Sequence, residues 1–378
     1  LQFTANQDVL NKAVATVARA VSNRSTLPIL SHILLVVEEE QLVVSATDLE
    51  IGMRQGVPLN PLDTIQPGRT TVPSRLFNEI IAAMPKGQAI TIGVDENDRV
   101  TLRSGKSVLE VHGLPAQEFP PLPECKGTDA FDIPAAEFER RIGQCLVAVS
   151  SDETRARLTG MQVIAEERFL RLVATDTHRL ATGTVAVDED MPPLRMIIPA
   201  RAVAEVARAI QDADSIVAVK MTESQVQFTF EAGLTIVSRL IEGEFPNWKK
   251  VVPSEHAWSI SGNRGHLLQA VRRCAIVSRE DVHRILVTLT CDGGLRLAAQ
   301  SSKVGKCDEE VEGLDVQRNG GELDELAIAF NAEYLMDALT TIDADEVRIE
   351  LTLPNQPIMV RGVSEEPFQM VQMPMQTT

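Results

Sequence analysis

VPSRLFNEI (Val72 to Ile80) and IPARAVAEV (Ile198 to Val206) decide how this chain is built. Each opens on a β-branched residue followed by proline and runs on into an amphipathic segment. Arg75 and Arg201 stand 126 residues apart. So do Phe119-Pro120 and Phe245-Pro246, which sit inside GLPAQEFPPLP (from Gly113) and LIEGEFPNWKKVVP (from Leu240). Two matches at one offset indicate a duplicated domain. A weaker third copy begins near Trp258. There AIAFNAEYLMDAL (from Ala327) takes the place of VPSRLFNEI, and the copy runs out in FQMVQMPM and a short tail.

Working outward, each copy reads as a short strand, a helix, several strands with turn signals, a second helix and more strands. The helix candidates are Asn6–Val21, Val72–Lys86, Pro134–Ser150, Pro199–Gln211, Asn263–Arg279 and Asn331–Ile342. Pro73, Pro134 and Pro199 lie near first-turn positions, and Asn6, Asn263 and Asn331 are N-cap candidates. Strands are expected at Gln41–Ala46, Ile216–Met221, Gln225–Phe230 and Glu346–Leu351, where residues alternate or run apolar. Linkers at Pro120–Thr128 and Val252–Ala257 set domains near 1–121, 128–252 and 256–378. The fold class is therefore α+β: three repeated domains, each with two helices packed on antiparallel sheets. A length of 378 residues exceeds what one core supports. Apolar residues make up 44% but aromatics only 4%, so the cores are aliphatic. Equal copies joined end to end can continue into a closed symmetric assembly.

The net charge of −17 argues against a nucleic-acid partner, and an ordinary acidic protein is the plain reading. The distribution tells more. The six candidate helices carry +5, so the remainder carries −22. In Asn6–Val21, Leu10, Val14, Val17 and Val21 form a core stripe, with Lys12 and Arg19 seven apart nearly opposite Leu10. Arg201 and Arg208 repeat that spacing, as do Arg272 and Arg279 with Arg273 beside them. Such pairs are common on solvated helix faces. Alternatively, helices inside and strands outside would give a basic bore and an acidic rim, able to hold phosphates without reading bases. Asn331–Ile342 departs from this pattern through Glu333 and Asp337.

Catalytic signals are thin. Gly105-Lys106-Ser107 resembles the end of a phosphate-binding loop, but Val100 stands where the motif needs glycine. The six His form no HExxH pattern. Asp176-Thr177-His178-Arg179 juxtaposes acid, base and cation, yet no GxSxG elbow accompanies it. Asp308, Glu309, Glu310 and Glu312 match no metal loop and read as a solvated edge. The five cysteines (Cys125, Cys145, Cys274, Cys291 and Cys307) are widely spaced, so free thiols are expected rather than a zinc site or a disulfide framework. The N-terminal LQFTANQDV has no signal-peptide pattern, and no apolar run is long enough for a membrane span, so a soluble cytoplasmic protein is expected.

Four stretches carry a family resemblance: RSTLPIL (Arg24–Leu30), LVATDTHRLA (Leu172–Ala181), EGEFPNW (Glu242–Trp248) and MPM (Met373–Met375). They stand in order and in the right copies, and over its whole length the chain resembles the bacterial sliding clamps, the beta subunits of DNA polymerase III. The resemblance implies a head-to-tail homodimer that closes into a ring around double-stranded DNA, with helices lining the central hole. It implies no catalysis, no cofactor, no metal and no membrane. The partners it implies are a clamp loader, the DNA polymerase III catalytic subunit, and other polymerases and repair proteins that bind through short linear motifs.

By the same resemblance, the motif pocket lies between the second and third domains. It would comprise Leu158, Thr175, Thr177, His178, Arg179, Leu180, Pro246, Lys250, Val251, Val371, Met373, Pro374, Met375 and Gln376. Independently of the resemblance, Met side chains suit a groove that accepts many peptides. Leu158, Leu180, Val251 and Val371 offer apolar area, while His178, Arg179 and Gln376 can hold polar groups. The resemblance points to Arg24 for DNA, with Arg75, Arg201 and Arg208 in support. For closure of the dimer it points to Leu109 against Ile276 and Val277 of the other protomer. Two residues depart from the family: Thr177 stands where glycine is frequent, and Gln376 where a basic residue is common. Two other readings stay open: a clamp-like peptide binder outside replication, and an enzyme centred on Asp176 and His178.

Overall fold

The computed structural model describes residues 1–22, 26–38, 40–122, 125, 129–280, 282–320, 324–364 and 367–376. Six α-helices are present among them: α1 (Gln7–Val17), α2 (Ser74–Ala83), α3 (Ala135–Leu146), α4 (Ala200–Ala209), α5 (Arg264–Ser278) and α6 (Ala332–Thr341). One lies inside each expected segment, trimmed at its ends. The asparagine caps are as expected: the Asn6 side chain accepts from the backbone N–H of Asp8 and Val9, Asn263 from His266, and Asn331 from Glu333 and Tyr334. Each cap satisfies donors that the first helical turn leaves without partners. Ile216–Met221, Gln225–Phe230 and Glu346–Leu351 are strands with the expected bounds, and Gln41–Thr47 runs one residue further than expected. No helix of the described residues is long and apolar enough to cross a membrane.

The chain forms two compact units. The first comprises residues 1–136 and 201–240. Its eight-stranded antiparallel sheet runs, in spatial order, Gly68–Pro73, His32–Glu38, Gln41–Thr47, Ile51–Pro58, Leu234–Arg239, Gln225–Phe230, Ile216–Met221 and Asp129–Pro134. Strands from the first and second repeats thus join in one sheet, with Met53 opposite Ile236 at the seam. A separate four-stranded sheet runs Gln2–Asn6, Ala89–Val94, Arg99–Ser104 and Ser107–His112. Leu10, Val14 and Val17 of α1 are fully buried, and Val21 nearly so. Each such side chain contributes about 1.5–3 kcal/mol by leaving water.

The second unit comprises residues 137–200 and 241–378. Its seven-stranded sheet runs Gly160–Thr175, Arg179–Pro199, Phe368–Gln372, Ile358–Gly362, Glu346–Leu351, Trp258–Asn263 and Leu314–Arg318. Leu180 lies opposite Val371 where strands of the second and third repeats meet. A four-stranded sheet of Gly305–Glu310, Leu295–Ser301, Arg284–Thr290 and Glu325–Asn331 packs against α5.

One helical expectation changes. α1 ends at Val17, and Ala18–Ala20 tighten into a 3-10 turn. Arg19 nevertheless lines one cavity with Lys12 and Thr16, so it keeps the face of Lys12 across the tightened turn. Its guanidinium reaches Glu205 of α4 at 2.6 Å.

Candidate functional site

The second unit holds a cavity of about 220 Å3 beside the hairpin that joins Gly160–Thr175 to Arg179–Pro199. The hairpin tip is built by its own side chains. Asp176 Oδ1 accepts from the backbone N–H of His178 and of Arg179, both at 2.9 Å. The Thr175 hydroxyl donates to the Arg179 carbonyl at 2.7 Å and accepts from the Thr177 N–H at 3.2 Å. These bonds hold Thr177 at φ +80°, a left-handed conformation that a β-branched residue adopts only under strain. A glycine would take it freely. Arg155 donates to the Thr177 hydroxyl at 3.2 Å.

Arg179 is committed in three directions. Its Nε lies 3.0 Å from Asp176 Oδ2, its Nη1 meets the Asp337 carboxylate of α6, and its guanidinium sits 4.3 Å from the centre of the Tyr334 ring. The His178 ring stacks on the other part of this cluster, 6.3 Å from Tyr334. Burial, followed by the Asp176 charge, raises the Tyr334 hydroxyl pKa. Arg179 therefore serves as a brace across the site rather than as a free cation. Asp337 spends its negative charge here, so its acidity says nothing about an open helix face.

The apolar floor is a buried cluster of Ile164, Val173, Leu180, Trp248 and Val371, with Phe245 and Val252 packed against it. Trp248 is flanked by the cations of Arg171 and Lys249, each 5.8 Å from its ring. Arg157 donates to the Glu244 carbonyl at 3.1 Å and so pins the segment that delivers Pro246. The Met373 N–H donates to the His178 carbonyl at 2.8 Å, and the Met375 N–H to the Ala329 carbonyl at 2.7 Å. These bonds seat the C-terminal segment along the cavity.

Of the fourteen pocket residues named from the sequence, Thr175, Thr177, Arg179, Leu180, Pro246, Val251, Val371 and Met373 line the cavity. Leu158, His178, Lys250, Pro374, Met375 and Gln376 lie outside its wall. Leu158 is buried, and Lys250 and Gln376 are exposed. Sequence reasoning missed Asn247 and Trp248, which complete the lining. The signal was present in the EGEFPNW stretch, whose bulkiest residue stands two positions after Pro246.

Arg24 lies outside the described residues. Each of the other arginines named for DNA meets a carboxylate: Arg75 pairs with Glu79 at 3.0 Å, Arg208 with Glu205 at 2.6 Å, and Arg201 with Asp48. Arg273 likewise grips Glu309, with Nε 2.9 Å from Oε2. Among the described residues, Lys12, Arg272 and Arg279 are exposed without an ion pair. Leu109 sits on the outer strand Ser107–His112 at 37% exposure, beside Val108 at 53%. On α5, Ile276 is 59% exposed and Val277 half-buried.

Comparison with known proteins places this geometry. Three descriptions of the DNA polymerase III beta subunit match in sequence: its N-terminal domain over residues 1–123, its central domain over 132–247 and its C-terminal domain over 249–376. The chain belongs to the bacterial DNA polymerase III beta subunit, or sliding clamp, family. It is 33% identical over 378 residues to a beta sliding clamp of Pseudomonas aeruginosa, covering 99% of this chain and 100% of that one. The crystal structure of a P. aeruginosa DNA polymerase III subunit beta superposes with a TM-score of 0.92 at 32% identity, covering all of both chains. A Bacillus subtilis sliding clamp superposes at 0.93 with 28% identity, over 100% of this chain and 99% of that one. The clamps are non-catalytic scaffolds of DNA replication, and this chain is not an enzyme. The cluster at Asp176 fits that conclusion, since its carboxylate is consumed by the turn and by Arg179.

Proposed function

We propose that this chain closes head to tail with a second copy around duplex DNA and carries replication proteins along it. The three repeats near 1–121, 128–252 and 256–378 are the units of that assembly. One observation carries the reading: how equivalent strands of the repeats pair. The 126-residue offset moves Ile51–Pro58 onto residues 177–184, and residues 108–113 onto Leu234–Arg239. Ile51–Pro58 of the first repeat pairs with Leu234–Arg239 of the second. Its second-repeat equivalent, the start of Arg179–Pro199, pairs with Phe368–Gln372 of the third. Two outer strands are left over. Ser107–His112 is the first-repeat equivalent of Leu234–Arg239. Gly305–Glu310 is the third strand after α5, as Ile51–Pro58 is the third after α1. Each lies at the end of its four-stranded sheet.

Joining these two edges between chains repeats the junction twice made within the chain. An open edge otherwise invites wrong pairing. Leu109 of one copy then meets Ile276 and Val277 of the other, and covers apolar area now exposed. Arg24, Arg75, Arg201 and Arg208 face the DNA backbone, and their contacts with phosphate read no sequence. The groove around Leu180, Trp248 and Met373 takes a short linear motif. Its occupants are the clamp loader, the DNA polymerase III catalytic subunit, and other polymerases and repair proteins.

The test is retention on DNA after loading. The expected result is that loaded protein stays on circular duplex through a high-salt wash and is lost from linear duplex with free ends. Equal retention on both would overturn the encircling mode, because salt weakens phosphate contacts but not topological linkage. A monomeric mass at all concentrations would overturn the paired edges.

A further inference from the structure

The cysteines are scattered in sequence, yet two of them meet in the second unit. Cys274 lies on α5, wholly buried, and Cys307 on the outer strand Gly305–Glu310, half-buried. Their sulphurs are 2.8 Å apart. Cys274 Sγ also lies 3.7 Å from the Leu297 carbonyl on the neighbouring strand, which aims the thiol into the helix-sheet seam. The Glu309 carboxylate completes a group whose ligand atoms lie within 4.8 Å of one another. Arg273 already grips that carboxylate through Nε and Nη2.

We propose that Cys274 and Cys307 are a reversible dithiol that hydrogen peroxide closes into a disulfide, fastening the outer strand to α5. Metal binding is the weaker use of this site. It needs thiolates, whereas burial and the Cys307 hydrogen bond push the Cys274 thiol up, and Glu309 is taken by Arg273. Oxidation needs only one sulphur to start. Cys307 is the accessible member and so the one that peroxide meets first.

The Cys307 thiolate attacks one peroxide oxygen. The O–O bond breaks, hydroxide leaves and takes up a proton as water, and Cys307 becomes a sulfenic acid. The Cys274 sulphur then attacks the Cys307 sulphur. The S–S bond forms, the sulfenic hydroxyl leaves, and the Cys274 proton makes the second water. Two thiols and one peroxide give one disulfide and two waters, so both electrons that reduce the peroxide come from the sulphurs. A dithiol reductant reverses the step. In the proposed dimer this edge is paired and Leu109 of the other copy lies against α5, so the half-exposure of Cys307 is that of the free edge, and the oxidation is read on dilute, unpaired chain.

The test uses the full chain with and without hydrogen peroxide, alkylated afterwards under denaturing conditions and mapped by peptide mass. The expected product is an intrachain link between the Cys274 and Cys307 peptides, two hydrogens lighter. Alkylation of both should fall about tenfold, and dithiothreitol should restore it. Because the link closes a loop spanning 33 positions, the oxidised chain should also melt roughly 5 °C higher. C307S, at the half-buried position, should abolish both effects and keep the fold, while C291S, at an exposed thiol elsewhere, should leave both unchanged. Undiminished alkylation of Cys274 and Cys307, or links only between chains, would overturn the proposal.

Discussion

The groove of the second unit and the helix faces of the first both present arginine, and they use it in opposite ways. Arg179 is only 11% exposed and is locked between Asp176, Asp337 and the Tyr334 ring. Arg75 is 94% exposed and leans on a single carboxylate one helical turn away. The first arrangement fixes shape, because Arg179 and Asp176 lie largely out of water and each has a partner. The second is a loose surface pair that solvent and salt can open. Under the proposed function, the first kind suits a groove that recognises a peptide, and the second a surface that holds and releases a passing phosphate.

The sharpest way to break this contrast is to truncate both arginines. R179A strips the brace and leaves Asp176, only 14% exposed, without its counter-charge. Stability in chemical denaturation should fall by about 2–4 kcal/mol. R179K should recover only part of it, since an ammonium cannot span two carboxylates and a ring with the same geometry. R75A should cost less than about 0.5 kcal/mol. Equal losses would mean that the two arginines do not differ in kind.

The groove floor can be tested without disturbing the brace. Met373 lines the cavity and is half-buried, and M373D would place a carboxylate against Leu180 and Val371. Binding of a polymerase-derived or loader-derived peptide should weaken about 100-fold, with the melting temperature little changed. Retention on circular DNA should survive. Undiminished peptide binding would remove the groove from the proposed function.

At the hairpin tip the expected effect is smaller. T177G relieves the left-handed strain at φ +80° and removes the hydroxyl that Arg155 holds. A gain of about 0.5–1 kcal/mol is expected, less the entropy that glycine loses on folding. A loss of stability would show that the Arg155 bond outweighs the strain.

The repeats were legible because a duplicated domain repeats its proline-led helices and its Phe-Pro turn at one offset. The caps were legible because Asn6, Asn263 and Asn331 act within three residues of themselves. The groove residues could be named only through the family resemblance that four short stretches carry, since Val251 and Val371 lie in none of those stretches. Long-range pairing was not legible. Nothing near Arg179 in sequence names Asp337, 158 positions away, and nothing near Cys274 names Cys307. Beyond the EGEFPNW stretch, nothing in the sequence separates Trp248 from an ordinary core tryptophan, since it is buried in the apolar cluster under the groove. The seven-residue spacing of Lys12 and Arg19 did mark a shared face, but the carboxylate that Arg19 meets there, Glu205, is 186 positions away.

Carboxylates from a loop and from a helix meet the arginines of the helix faces. Counting charge along helices made those faces basic, yet the folded chain returns Asp48 to Arg201 and Glu79 to Arg75. D48N with E79Q would free both arginines. The amide oxygen introduced by D48N could still accept the turn bonds that Asp48 Oδ1 now receives from the N–H groups of Glu50 and Ile51, so the loop should hold. If the freed arginines face the phosphate backbone, affinity for linear duplex at low salt should rise about threefold, with a steeper loss as salt increases. The gain is modest because each pair already opens at small cost to meet a phosphate. An unchanged affinity and salt slope would move the DNA path off these arginines, toward the exposed Lys12, Arg272 and Arg279.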